Sequence, residues 1–301
     1  MINRLLVTGC GGFVGGGIVH ETPRGVELHA VARKEPPECG GAAAWHMLDL
    51  RDRDGVRELF ETVSPDAVIH AAAIADIDFC EANKETAWAV NVSVTQQLAD
   101  LCREHGTRLV YVSTDNVFDG KRGAYREEDA PTPINYYAET KAAGERVVAG
   151  MGRNYVVART SVVMGFPMLG SGNSFLMRMV SLLREGKRVG VPENEIRSPI
   201  DVVTLARSLL ELAGSRCEGY IHLAGNDWLN RYEMVRRIAR ELGFSEGLIY
   251  PNNPETIPGR APRPLDVSLC NQKARECLRT PMKNLQDGLR LVLKTARPSH
   301  L

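Results

Sequence analysis

The chain has 301 residues, 44% apolar and 25% charged, enough for a large core in one large or two coupled domains. Lys+Arg and Asp+Glu both number 37, so the formal net charge is zero, which disfavours a nucleic-acid-binding protein. No run of eighteen apolar residues occurs, so we expect no membrane-spanning helix.

The N-terminus and the cysteines indicate the compartment. Met1 to Gly9 enters a strand at once and lacks the apolar stretch and cleavage site of a signal peptide. The seven cysteines are scattered, and none forms a Cys-x-x-Cys pair. We therefore expect no disulfide framework and no metal site, and we predict reduced thiols in a cytoplasmic protein.

The first half of the chain alternates apolar runs with amphipathic stretches. The predicted strands are Arg4 to Val7, Glu27 to Ala32, Ala44 to Leu48, Ala67 to Ala72, Arg108 to Val112 and Tyr155 to Arg159. The predicted helices are Gly12 to His20, Gly55 to Val63, Asn91 to His105 and Tyr137 to Val148. Continuously apolar strands alternating with helices predict an α/β fold, a Rossmann-type doubly wound parallel sheet.

The second half is less regular. Gly- and Pro-rich segments at 165–173, 190–199 and 251–264 separate predicted helices at Ser174 to Arg184, Val202 to Leu212 and Tyr232 to Leu242. We predict a dinucleotide-binding Rossmann domain over residues 1–161, to which segments near 199–224 return. Residues 162–301 are then mainly a smaller C-terminal lobe that binds the substrate.

A glycine-rich turn follows the first strand. Gly9, Gly12 and Gly15 form Gly-x-x-Gly-x-x-Gly, which suits close approach of the backbone to a pyrophosphate at a helix N-terminus. The usual dinucleotide fingerprint needs glycine at position 14, where this chain has Val14. The spacing therefore favours a variant of that fingerprint, and a plain tight turn is the alternative.

The end of the second strand bears on the choice of cofactor. A carboxylate there favours NAD, whereas Arg33 and Lys34 suit a 2′-phosphate and predict NADP, with NAD as the alternative. A solvated loop is the competing interpretation of this basic pair. Asp49 and Leu50 end the third apolar segment and are candidates to meet the adenine, but Asp49 or Asp52 could instead cap a helix.

A Tyr-x-x-x-Lys pair is the strongest chemical signal. Tyr137 and Lys141 share one face of a helix, whereas Tyr136 has the wrong spacing. A lysine ammonium about 4 Å away favours the phenolate by roughly 4 kcal/mol at an effective dielectric of about 20 and lowers the tyrosine pKa, before any opposing desolvation. Such a tyrosine can exchange a proton with a carbonyl oxygen, to which Thr114 or Ser113 would donate a second hydrogen bond.

With these motifs the chain resembles the extended short-chain dehydrogenase/reductase family, and within it the dTDP-4-dehydrorhamnose reductase branch. The matching segments are Thr8 to Gly15, His70 to Ala73, Val90 to Val92, Ser113 to Gly120, Tyr137 to Lys141 with Gly144 and Glu145, and Arg159 to Ser161. Weaker matches are Asn173 to Phe175, Arg197 to Ile200 and Arg263 to Ser268. Together they span essentially the whole chain.

The resemblance implies roles for these residues. Thr114, Tyr137 and Lys141 would be catalytic, and Lys141 would also hold the nicotinamide ribose. The implied cofactor-binding residues are Gly9, Gly12, Phe13, Val14, Gly15, Ala71, Ala72, Ala73, Asn91, Thr160 and Val163. Candidates to grip a nucleoside diphosphate are Asn173, Arg197, Arg260 and Arg263, with a surface role equally open for the arginines.

The leading hypothesis is an NAD(P)H-dependent reductase of a 4-keto-6-deoxy sugar nucleotide. A sugar-nucleotide dehydratase of the family has Thr-Asp-Glu where this chain has Thr114-Asp115-Asn116, and an amide cannot act as the base in the elimination. An epimerase, another carbonyl reductase or a non-catalytic regulatory subunit are the alternatives. A homodimer is a candidate assembly, with the helix at 92–105 and the Tyr137 helix as its faces.

Overall fold

In the computed structural model, which describes residues 2–34, 43–169, 174–252 and 259–296, a seven-stranded parallel sheet forms the centre of the molecule. The strand order is β11-β6-β5-β4-β1-β2-β3, so the direction of winding reverses between β1 and β4. The strands are β1 Arg4–Thr8, β2 Glu27–Ala32, β3 Ala43–Met47, β4 Ala67–His70, β5 Arg108–Thr114, β6 Tyr155–Thr160 and β11 Gly219–Leu223. The predicted doubly wound α/β fold is confirmed.

Helices cover both faces of this sheet, as the continuously apolar strands require. On β1, Leu5 and Val7 pack in one buried cluster with helices α1 and α8, while Leu6 packs on the other face with α2 and α5. The helices are α1 Phe13–Glu21, α2 Arg53–Val63, α3 Ile77–Ala82, α4 Lys84–Trp88, α5 Val94–His105, α6 Tyr136–Ala149, α7 Phe175–Arg184, α8 Val202–Ala213, α9 Arg231–Glu241, α10 Gln272–Cys277 and α11 Leu285–Thr295. None of these helices is long and apolar enough to cross a membrane.

A second core lies beside the sheet in the C-terminal half. Three two-stranded pairs, β7 with β10, β8 with β13 and β9 with β12, surround a buried cluster supplied by α7, α9 and α11. These strands are β7 Val163–Met164, β8 Val189–Pro192, β9 Ile196–Arg197, β10 Ile200–Asp201, β12 Leu229–Asn230 and β13 Ile249–Asn252. α8 packs against α1 and β11 pairs with β6, so residues 202–223 belong to the main sheet and its cover.

Besides small shifts of element ends, two differences from the sequence prediction lie near the ligand crevice. The fourth strand ends at His70 rather than Ala72, and the helix predicted from Asn91 starts as a π-helical turn, Ala89–Ser93, before α5. Both differences place irregular backbone beside the carboxyl edge of the sheet, where π-turns often accompany functional sites.

Most residues of α6 are buried within the single chain, so α6 offers little surface for a dimer.

Candidate active site

The glycine turn lies at the point where the winding of the sheet reverses, which is the ligand crevice of doubly wound folds. Gly9 has φ 77°, and a Cβ built on it would lie 2.7 Å from the backbone N of Ala72. Only glycine fits there, because the turn after β1 is packed directly on the turn after β4.

The N-terminus of α1 is left free for a ligand. Gly12 occupies the N-cap position and offers no side-chain cap, in contrast to α2, α3 and α6, which are capped by Asp52, Asp76 and Asn135. Unsatisfied N–H groups at the start of a helix bind pyrophosphate oxygens, so the N–H groups of Phe13, Val14 and Gly15 fit a dinucleotide, while the Gly12 N–H closes the turn onto Gly9 O. This uncapped terminus, together with the glycine cradle, satisfies the structural requirement for the predicted cofactor.

At the ends of β2 and β3, Arg33 and Lys34 are exposed. Arg51 donates to both carboxylate oxygens of Asp49, and this hydrogen bonding lowers the pKa of Asp49 to about 2. Asp49 is thus held by Arg51, and Asp52 provides the helix cap instead. Leu50 is half-buried against the α2 side of the sheet. Residues 35–42 lie outside the described chain.

After β4, Ala71 and Ala72 are half-buried and Ala73 is exposed, so this turn borders the crevice. His70 lies beneath it with Nδ1 2.7 Å from the Thr8 hydroxyl, and burial lowers the pKa of His70 to about 3. His70 is therefore neutral and has a structural role at the end of β4.

Asn91, a predicted cofactor contact, joins two elements of the site. Its Oδ1 accepts from Ile74 N at 2.8 Å, and its Nδ2 donates to Ile74 O and to Thr140 Oγ1, both at 3.0 Å. Because the side chain is 1% exposed, these contacts occupy it fully. Asn91 ties the turn after β4 to the helix that carries Tyr137, so it positions the site, and a direct cofactor contact stays a prediction.

The three predicted catalytic residues meet at the carboxyl edge of the sheet. Thr114 is the last residue of β5, and Tyr137 and Lys141 lie on consecutive turns of α6, whose start is capped by Asn135. Lys141 Nζ donates to Val112 O at 2.7 Å and lies 4.0 Å from the centroid of the Tyr111 ring. The Thr114 hydroxyl donates to Asp115 at 3.2 Å.

The pKa of Tyr137 differs from the sequence expectation. Burial raises it well above 10, a hydrogen bond from Thr114 opposes that rise, and Lys141 is not among the groups that shift it. Burial also lowers the pKa of Lys141 to about 7, with Glu145 opposing. The expected acidification of Tyr137 by Lys141 is therefore wrong, because desolvation of the phenol dominates its pKa.

The Ser113 hydroxyl has a buried partner in this structure. It donates to Glu145 Oε1 at 2.6 Å, and Glu145 forms a buried ion pair with Arg159 at 2.8 Å. Ser113 is 3% exposed, so its polar group is committed to joining β5, β6 and α6. Substrate binding by Ser113 stays a prediction, and its hydrogen bond to Glu145 favours Thr114 as the hydroxyl that donates to the carbonyl oxygen.

Asp115 connects the catalytic residues to the C-terminal half. It accepts from Ser161 Oγ at 2.7 Å and from Asn116 Nδ2 at 2.8 Å. Burial raises the pKa of Asp115, and Arg197 is the largest opposing influence. Thr160 ends β6 next to Ser161 and is buried, while Val163 is half-buried in β7. Both remain predicted neighbours of the nicotinamide.

The predicted diphosphate residues have partners of their own. Arg197 is 4% exposed and donates to the carbonyl oxygens of residues 196, 264 and 265. Arg260 donates to Glu195 at 2.8 Å, and Arg263 makes a two-pronged contact with Asp78 at 3.0 and 2.8 Å. Asn173 lies outside the described residues. A fourth arginine in this region, Arg231, is not predicted from the sequence because no local motif marks it.

Two clefts border the site and the lobe. A cleft of about 270 Å³ is lined by Asn194, Glu195, Arg260, Ala261, Pro262, Arg263 and Leu265. It is adjacent to the catalytic helix, because the Asn135 cap also donates to Pro262 O at 3.0 Å. A larger cleft of about 550 Å³ is lined by other residues, among them Trp228 and Arg275.

Within the described residues, no group of three or more His, Cys, Asp or Glu side chains could hold a metal ion.

The switch-point glycine turn, the uncapped α1 and the Thr114, Tyr137 and Lys141 arrangement define a class, the NAD(P)-dependent oxidoreductases of the extended short-chain dehydrogenase/reductase type. A family model described as the RmlD substrate binding domain matches residues 3–297. The chain belongs to this family.

Individual relatives agree with this membership. A dTDP-4-dehydrorhamnose reductase of Mycobacterium tuberculosis (strain ATCC 25618 / H37Rv) is 31% identical over 297 residues, covering 96% of this chain and 92% of that protein. A dTDP-4-keto-6-deoxy-D-glucose reductase of Streptomyces niveus is 31% identical, with 96% of each covered. Methionine adenosyltransferase 2 subunit beta of Xenopus tropicalis is 29% identical, covering 88% of this chain and 80% of that protein.

A solved structure is also similar. The dTDP-4-dehydrorhamnose reductase of Bacillus anthracis in complex with NADP superposes with a TM-score of 0.86 at 25% identity, covering 98% of this chain and 100% of that one.

Proposed function

We propose that this chain is an NADP(H)-dependent reductase of a 4-keto-6-deoxy sugar linked to a nucleoside diphosphate, in the manner of dTDP-4-dehydrorhamnose reductases. The observation that carries the proposal is the placement of Thr114, Tyr137 and Lys141 at the carboxyl edge of the sheet. Membership of the family, and relatives named as reductases of dTDP-linked keto sugars, support the substrate class.

In this proposal a bound reduced nicotinamide supplies the hydride that forms the new C–H bond at the keto carbon. Burial keeps the pKa of Tyr137 above 10, so its phenol carries a proton at neutral pH. Tyr137 gives that proton to the oxygen of the former carbonyl, and the Thr114 hydroxyl turns from Asp115 to donate to the same oxygen. Lys141, when protonated, stabilises the phenolate that remains.

The cofactor is proposed to be NADP, with NAD as the alternative. The exposed Arg33 at the end of β2 suits a 2′-phosphate, and the Bacillus anthracis relative was solved with NADP. The lobe around the second core, mainly residues 162–301, is proposed to hold the sugar nucleotide. The cysteines in the described part of the chain are free thiols, which supports the proposed cytoplasmic location.

The test is an NADPH oxidation assay with a panel of keto-sugar nucleotides that differ in base and sugar. We expect absorbance loss with a dTDP-4-keto-6-deoxy sugar and a product reduced at C4. Turnover with none of the panel, in the presence of bound NADPH, would refute the reductase proposal. Interconversion of sugar epimers without net NADPH consumption would instead support the epimerase alternative.

A non-catalytic subunit is the second candidate. It is favoured by the 29% identity to methionine adenosyltransferase 2 subunit beta, which extends over 88% of this chain. The intact Thr114, Tyr137 and Lys141 oppose it. Copurification with a stoichiometric enzyme partner, together with no hydride transfer on any substrate, would favour the subunit.

A further inference from the structure

A cluster of arginines lies where β9 and β12 pair. Leu229 lies opposite Arg197 in this antiparallel pair, and the backbone N–H of Arg231 donates to Glu195 O at 3.0 Å. The Glu195 carboxylate then binds Arg260 at 2.8 Å and contacts Arg197 at 3.5 Å. We name Arg197, Arg231, Arg260 and Glu195 the arginine cluster.

Two of its guanidinium groups have protein partners. Arg197 is held by main-chain carbonyl oxygens, and Arg260 is held by Glu195. Arg231 differs, because its Nε is buried without a hydrogen-bond partner among the described residues. Its guanidinium carbon lies 4.8 Å from the centroid of the Phe175 ring, a contact that orients the group but accepts no hydrogen bond.

Around Arg231, guanidinium groups outnumber carboxylates. Burial, together with the charges of Arg197 and Arg260, lowers the pKa of Arg231 to about 10, and Glu195 and Asp115 oppose this shift. Burying the Nε donor of Arg231 without a partner is costly unless a ligand satisfies that donor. Three guanidinium groups therefore face two carboxylates, of which Asp115 also has its pKa raised by burial.

The cluster is close to the reacting groups. Asp115 follows Thr114 in the chain and acts on the pKa of Tyr137 as well as on that of Arg231. The cleft of about 270 Å³ is lined by two other members of the cluster, Glu195 and Arg260. Arg231 is thus linked through Asp115 to the catalytic residues and through Glu195 to this cleft.

We propose that Arg231 supplies its unused donors to the phosphate oxygens that link sugar and nucleoside, and so makes the site specific for diphosphate-linked substrates. Guanidinium groups suit this task because their donors match two phosphate oxygens at once. The inference rests on the proposed function for the identity of the substrate. It replaces Arg263, whose guanidinium is already engaged by both oxygens of Asp78.

The test uses calorimetry to measure how tightly dTDP and thymidine bind to the full chain, which is saturated with NADP. No hydride transfer is needed for this measurement. Arg231→Met removes the charge and keeps an apolar contact with Phe175; we expect about 10- to 100-fold weaker dTDP binding, as for loss of charged hydrogen bonds. Thymidine binding should not change. Arg231→Lys, which keeps the charge but loses the planar group, should lose part of the affinity.

The matched control is Arg237→Met on the same helix, because Arg237 is exposed and paired with Glu233. It should bind dTDP like the wild type. Wild-type dTDP affinity in Arg231→Met, or equal losses of dTDP and thymidine, would overturn the inference. Arg231-dependent dTDP binding without reduction of any keto sugar would support this inference while refuting the proposed function. Should Arg231→Met not fold, wild-type dTDP affinity in Arg231→Lys would overturn it.

Discussion

The Nζ atom of Lys141 lies 2.7 Å from the carbonyl oxygen of Val112. This contact fixes the lysine to β5 while Tyr137 lies one turn earlier on α6. The lysine is 2% exposed, so its charge depends on pH in the range where enzymes work.

Burial of Lys141 predicts a pH-dependent stability. Its pKa falls from 10.5 to about 7 in the folded chain, so between these values the unfolded chain binds more protons. The contribution of Lys141 to the free energy of unfolding therefore rises with pH from about 7 upward, by at most about 1.4 kcal/mol per pH unit. Urea unfolding at pH 7, 8 and 9 should show wild type gaining stability relative to Lys141→Met, and a constant difference would contradict this.

Ser113 and Thr114 should separate into structural and catalytic roles. Ser113→Ala removes a donor from the buried Glu145 carboxylate and should cost about 1–3 kcal/mol of stability with KM unchanged. Thr114→Ala should lower kcat by about 10²–10³-fold with little loss of stability. Thermal unfolding and steady-state kinetics on both variants check the pair. A raised KM in Ser113→Ala at unchanged stability would show that Ser113 does contact the substrate.

The glycine turn allows a matched comparison. Gly9→Ala adds a Cβ that would lie 2.7 Å from Ala72 N, and it requires alanine to adopt φ 77°. We therefore expect the free energy of unfolding to fall by about 1–3 kcal/mol and NADPH to bind more weakly. At Gly11 the nearest contact of a Cβ is Ala32 Cβ at 3.7 Å, and Gly11→Ala should be tolerated. NADPH titration by fluorescence and denaturant unfolding measure both effects. Equal behaviour of the two variants would contradict the proposed cradle.

Arg33 should set the preference for NADPH over NADH. Arg33→Ala removes a charged donor from the predicted 2′-phosphate site, so kcat/KM with NADPH should fall about 10- to 100-fold. The value with NADH is the internal control and should stay within about twofold. The ratio of the two kcat/KM values is the measurement. A parallel fall with both cofactors would place the role of Arg33 elsewhere.

Much of the sheet could be predicted because burial on both faces leaves continuous apolar runs. Glu27–Ala32 was predicted to the residue, and β1, β5 and β6 extend only slightly beyond their apolar runs because polar residues such as Thr114 complete the strand ends. The two-residue strands of the C-terminal half could not be predicted, since their pairing depends on distant partners. Leu229 and Arg197, for example, are joined only by tertiary structure.

The site residues also divide into those marked by local sequence motifs and those whose role depends on tertiary contacts. Thr114, Tyr137 and Lys141 carry local motifs, and the structure brings them to one edge. Ser113 and Asn91 are adjacent to such motifs, but their hydrogen bonds to Glu145 and Ile74 are tertiary and gave no sequence signal. Arg231 was missed for the converse reason, because only the three-dimensional arrangement shows that its neighbours are already occupied.

The most direct test of the central claim follows deuterium from NADPH deuterated at nicotinamide C4 into a dTDP-4-keto-6-deoxy sugar. The wild type and Tyr136→Phe should deliver deuterium to sugar C4 at similar rates, because Tyr136 lies off the catalytic face of α6. Tyr137→Phe should bind NADPH normally but transfer deuterium at least about 10²-fold more slowly. No transfer by the wild type, or undiminished transfer by Tyr137→Phe, would contradict the account.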